Sequence, residues 1–74
     1  MTIGEYRVGI DFNPSGSLRV NTLKKLAADF IDECNKMADQ TSDPEVGRCI
    51  TQAATHAEDA AMWAVKAATK KPIA

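Results

Sequence analysis

Few side chains in this chain have the makings of a catalyst. His56 is the single histidine. To serve as a base it needs a carboxylate to orient it and a nucleophile within hydrogen-bond reach. One helical turn to either side stand Gln52 and Ala60. Asp59, three residues on, meets it only on a surface directed toward solvent. A packing or solvated histidine is therefore expected, and no set of nucleophile, base and oxyanion hole follows from the local spacings. Cys34 and Cys49 lack a CxxC spacing, and one histidine does not complete a metal-ligand set with them. No enzyme activity, no cofactor and no metal are expected.

A binding chemistry is better represented. Tyr6 adjoins Arg7, with Phe12 close by in sequence. A ring that stacks on a base and a cation that meets a phosphate are the two parts a nucleotide pocket needs. Arg19, Lys24, Lys25, Arg48 and Lys66 add further positive charge. Taken singly, exposed cations are mostly just solvated. Nine Lys plus Arg stand against ten Asp plus Glu. Such a balance provides no broad positive field for duplex nucleic acid, so an anionic partner has to be small and met locally. No apolar run reaches the ~18 residues of a membrane span. Glu5 and Arg7 stand where a signal peptide needs an apolar block. No membrane partner is expected, and the thiols should remain reduced in a cytosolic setting.

The elements that position these residues read as all-α. Residues 1–16 form a leader, irregular or briefly helical, that ends in the turn signal Asn13-Pro14-Ser15-Gly16. Over 17–37, Val20, Leu23, Leu26, Ala27, Phe30, Ile31, Cys34 and Met37 recur at spacings of three and four. At 100° per residue they fill an arc of roughly 140°, the pattern of an amphipathic helix with one buried face. In Ser42-Asp43-Pro44-Glu45 the serine reads as a cap, the proline as a first-turn residue and the glutamate as the partner in a capping box. A second helix over 44–69 follows, ending before Lys70, Lys71 and Pro72. So short a connection predicts an antiparallel helical hairpin within a single domain, 1–74. The leader folds against it or across a neighbouring subunit.

The second helix argues for a homo-oligomer. Its apolar stripe of Val46, Ile50, Ala53, Ala54, Ala57, Ala60, Ala61, Ala64, Ala67 and Ala68 is nearly all alanine. Small side chains permit close approach but bury little area. Below about 80 residues such a seam alone makes a thin core. Trp63 and Met62 lie outside the stripe and need another surface. Trp63 either caps the monomer core under the leader or packs between subunits. An antiparallel hairpin could bring Cys34 and Cys49 close enough for a disulfide, but in a reducing cytosol both are expected to be small core residues.

Two segments, Glu5-Tyr6-Arg7-Val8-Gly9-Ile10-Asp11-Phe12-Asn13-Pro14-Ser15-Gly16 and Glu58-Asp59-Ala60-Ala61-Met62-Trp63-Ala64-Val65-Lys66, resemble the anti-CBASS sponge proteins of tailed phages. These proteins counter a bacterial defence in which cyclic oligonucleotides activate a cell-killing effector. They bind the messenger without cutting it. The resemblance implies a helical hairpin assembled into a homohexamer in the cytoplasm of the infected host. Its ligands would be cyclic dinucleotides such as 3',3'-cGAMP and, in separate pockets, cyclic trinucleotides. By the same resemblance Tyr6 corresponds to the tyrosine that stacks on a dinucleotide base. Lys24 corresponds to the lysine that meets its phosphate, and Arg48 to the arginine of the trinucleotide pocket. The turn at Asn13-Pro14-Ser15-Gly16 lengthens the path from Tyr6 to the lysine, so Lys24 is chosen over Lys25 through a gapped match. Helical geometry agrees, since Lys24 borders the apolar arc and Lys25 points away. Arg7 and Lys25 complete the candidate dinucleotide set. Replacing Tyr6 or Lys24 by alanine is expected to abolish binding and leave the fold intact. The alternative function is a small phage adaptor or inhibitor that docks its Trp63 and Met62 surface on a host protein.

Overall fold

The structure, a computed structural model, describes residues 1–73 and contains three helices: α1 (Ile3–Val8), α2 (Leu18–Ala38) and α3 (Pro44–Thr69). The leader is thus briefly helical, over Ile3–Val8 alone, within the irregular or briefly helical reading of its sequence. A six-residue helix is too short to hold by itself, and its ends explain its persistence. The Thr2 hydroxyl accepts from the Glu5 N–H at 3.0 Å while the Glu5 carboxylate accepts from the Thr2 N–H at 2.8 Å, a complete capping box. Gly9 closes the other end in the left-handed region, φ 64°, and leads the chain out of the helix.

Ser17 caps α2 by accepting from the Val20 N–H, and the Asn13 amide ties the preceding turn to the Ser17 carbonyl at 2.9 Å. The cap of α3 lies one residue later than its sequence suggested. Asp43, not Ser42, accepts from the Glu45 and Val46 N–H groups. Pro44 is the reason: it has no N–H and a preset φ, so it belongs at the first helical position and makes its predecessor the cap. Glu45 is then too early to close a capping box and pairs with Arg48 instead.

α2 and α3 pack as the expected hairpin, with α1 laid chiefly on α2. The molecule is flat, 51 × 25 × 12 Å, so no second layer covers either broad face. The core is correspondingly narrow. On α2 it takes Val20, Lys24, Ala28, Ile31 and Cys34, a stripe at spacings of four, four, three and three. Leu26, Phe30 and Met37, expected in the same buried arc, are exposed. The arc spans two faces, and a partner made largely of alanine covers only one. On α3 just Ile50, Ala54 and Ala61 are buried, while Val46, Ala60, Ala67 and Ala68 of the expected stripe are exposed. Cys34 is buried and Cys49 exposed, both as free thiols, so only the first is a core residue. Trp63 is 62% exposed with Lys66 Nζ 5.0 Å from its ring, which excludes the reading in which it caps the core under the leader. Among the described residues no helix is long and apolar enough to cross a membrane.

Candidate nucleotide-binding cleft

What lets α1 carry a site is its seat on α2. Gly4 is buried against the Ala28 carbonyl, and its N–H donates to the Asp32 carboxylate at 2.7 Å. The Thr2 hydroxyl and the Gly4 amide beside it hold that carboxyl below the ordinary aspartate range. At the other end of α1, the Arg7 Nε donates to Glu58 of α3 at 2.7 Å, a tie between residues 51 positions apart. Val8 packs on the edge of the core formed by Ile31, Cys34, Ile50 and Ala54.

Lys24 fixes the turn that follows. It is 6% exposed, and its Nζ donates to the Gly9 carbonyl at 2.8 Å and to the Phe12 carbonyl. The Phe12 ring centroid lies 5.5 Å away. An ammonium has three N–H groups. Two are committed to the leader, and the third has no acceptor among the described residues.

These ties enclose an open cleft of about 390 Å³. α1 and its cap contribute Tyr6, Arg7, Val8 and Gly9; the following turn contributes Phe12; α2 contributes Lys24; and α3 contributes Glu58, Ala61, Met62 and Val65. The Tyr6 ring is 75% exposed, free to stack on a planar group. Arg7 engages Glu58 through Nε alone, so its two terminal nitrogens have no partner among the described residues. An apolar floor, a free ring and two cations with unused donors suit a base and its phosphate.

Of the five residues singled out from sequence, Tyr6, Arg7 and Lys24 therefore meet in one cleft. Lys25 does not. It points off the other side of α2, paired with Asp29 at 2.9 Å. Arg48 also lies elsewhere, gripping Glu45 through two nitrogens at 3.0 and 2.6 Å. At ~1.5 Å rise per residue it sits roughly 15 Å along α3 from Glu58. The Arg48 guanidinium holds the Glu45 carboxyl below the ordinary range. His56 is exposed and outside the cleft. Expected at the border of the apolar arc, Lys24 is instead inside the packed stripe. Its removal would strip the leader of a tie as well as the cleft of a cation.

Sequence reasoning missed Glu58 as a cleft residue. A signal existed: it falls four residues after Ala54 and three before Ala61, on the line of the buried alanines. An acid at a core position needs a partner. That partner, Arg7, is too distant in sequence for local spacing to find it.

A family model described as the Acb2/Tad1 hairpin domain matches residues 5–69 of the chain. No curated protein and no solved structure matches it.

Proposed function

The chain belongs to the Acb2/Tad1 hairpin-domain family, the anti-CBASS cyclic-oligonucleotide sponges, and from that premise we propose that it sequesters cyclic dinucleotides such as 3',3'-cGAMP, uncleaved, in the cleft between its leader and its hairpin. The observation that carries this reading is the meeting of the exposed Tyr6 ring with the Arg7 and Lys24 cations on one apolar-floored surface. Tyr6 stacks on a base, and the free N–H of Lys24 and the terminal nitrogens of Arg7 meet a phosphate.

The size of the cleft bears on assembly. About 390 Å³ is at the small end of the ~300–1,000 Å³ typical of small-molecule sites. That is room for one nucleotide unit of a cyclic dinucleotide. Two copies related by a twofold axis supply a Tyr6 and a Lys24 to each half of a pseudo-symmetric ligand. The exposed apolar residues of the flat hairpin, Leu26, Phe30, Met37 and Trp63 among them, support such pairing and the larger hexamer. Mass measurement in solution checks the subunit number.

Incubation with 3',3'-cGAMP, denaturation and chromatography of the released ligand test the central claim. Intact ligand is expected. Cleaved ligand would indicate an enzyme, and no retained ligand would favour a protein-docking adaptor. Tyr6→Ala removes an exposed ring and leaves the core alone. Base stacking is worth ~1–3 kcal/mol, so calorimetry should show affinity reduced roughly 5- to 150-fold with the thermal midpoint unchanged. Undiminished affinity would count against the cleft.

Cyclic trinucleotides are assigned to a separate site that includes Arg48. Because Arg48 lies away from the cleft, Arg48→Ala is expected to weaken trinucleotide binding and spare dinucleotides. Parallel titrations with the two ligand types check this, and loss of both would mean one shared site.

A further inference from the structure

The cleft contains one group that a pure phosphate site does not require. Glu58 is its only acidic side chain, set among two cations and an apolar floor. A carboxylate beside a phosphate-binding surface is unfavourable unless it binds a donor. Part of its capacity is used: Oε1 accepts from the Arg7 Nε at 2.7 Å, with both side chains partly buried, 28% exposed for Arg7 and 36% for Glu58. That bond fixes the orientation of the carboxylate. Ionised, the group accepts at about four lone-pair positions, and Oε2 has no partner among the described residues. Glu58 and Tyr6 line the same cleft.

We propose that Glu58 selects guanine, its carboxylate accepting from the N1–H and the N2 amino group of a base stacked on Tyr6. The proposal rests on the cyclic-dinucleotide reading of the cleft and adds a base preference to it. Guanine alone among the four bases presents two neighbouring donors on its Watson–Crick edge, matched to the two oxygens of one carboxylate. Adenine offers one donor, N6, beside an acceptor, N1, which would face a carboxylate lone pair. Uracil and cytosine each place an acceptor at the corresponding edge. The Arg7 bond serves this selection by holding the Glu58 carboxylate in one orientation.

Titration calorimetry with 3',3'-cyclic di-GMP and 3',3'-cyclic di-AMP tests the assignment. A bidentate base contact discriminates by ~1–3 kcal/mol, so the wild-type protein should prefer the guanine ligand by about tenfold or more. Glu58→Gln keeps the shape, but its amide donates where the carboxylate accepted. A glutamine amide accepts from adenine N6 and donates to adenine N1, so the preference should collapse or reverse. Equal affinity of the wild type for both ligands would overturn the base assignment and leave the sponge reading standing. A Glu58→Gln variant that weakens both ligands by the same factor would also overturn it, making Glu58 a positioning residue for Arg7. Failure of the wild type to bind either ligand would defeat the cleft reading and this one with it.

Discussion

Gly4→Ala is expected to lift α1 from the hairpin and weaken dinucleotide binding strongly. A Cβ at this position would stand 2.2 Å from the Ala28 carbonyl oxygen and 2.9 Å from its carbon, with the Asp32 carboxylate 2.7 Å away. Ala28 presents backbone, so no rotamer change relieves the clash. Retreat of α1 breaks the bond from the Gly4 N–H to Asp32 and carries Tyr6 and Arg7 out of the cleft. Helix formation in six residues depends on that docking. Overpacking of this kind typically costs ~1–3 kcal/mol. At ~1.4 kcal/mol per factor of ten, affinity should fall by up to roughly 150-fold. Thermal unfolding by circular dichroism and calorimetry with 3',3'-cGAMP measure the two losses. Gly47→Ala is the contrast: Gly47 has open space around it within α3, and the change should raise stability by ~0.4–1 kcal/mol. If both alanine variants behaved alike, the close seat of α1 on Ala28 would be disproved.

Lys24→Met should be the most damaging change for the ligand and a substantial one for the leader. Methionine replaces the aliphatic stem but deprives the Phe12 carbonyl of its donor and leaves the Gly9 carbonyl only the Phe12 N–H. Leaving a buried polar group without a partner costs ~1–3 kcal/mol. The leader between α1 and α2 should loosen, so that amide hydrogen exchange speeds up over residues 9–16 while α2 and α3 keep their protection. Affinity for 3',3'-cGAMP should disappear with the phosphate-facing N–H. This separates Lys24 from Tyr6, whose replacement removes binding energy without loosening the turn. It also revises the expectation that Lys24→Ala would spare the fold, since the ammonium holds the leader through the Gly9 and Phe12 carbonyls. Unchanged exchange over 9–16 would show that the two carbonyl bonds do not restrain the turn.

The long helices were legible because their signals are local. Spacing of three and four along 17–37 and 44–69, the Asn13-Pro14-Ser15-Gly16 turn and the proline stop all act within a few residues. Less legible was which apolar residues are buried. Leu26 and Phe30 satisfy the same periodicity as Ile31, and only the narrow width of the α3 seam separates them. For the site, Tyr6 and Arg7 were visible as a ring beside a cation, whereas Glu58 was not visible at all. Its significance comes from a contact 51 residues distant.

The sequence by itself determined an all-helical hairpin, its punctuation and, through two segments, its family, because periodicity, caps and motifs are properties of neighbouring residues. The tertiary structure decided which cation serves the cleft. Lys24 and Lys25 are adjacent and chemically identical, yet successive helical residues point about 100° apart. That turn sends Lys24 inward to the leader carbonyls and the cleft, and Lys25 outward to Asp29. Docking of α1 at Gly4 completes the choice, because it brings the carbonyls of the leader over one ammonium and leaves the other in solvent.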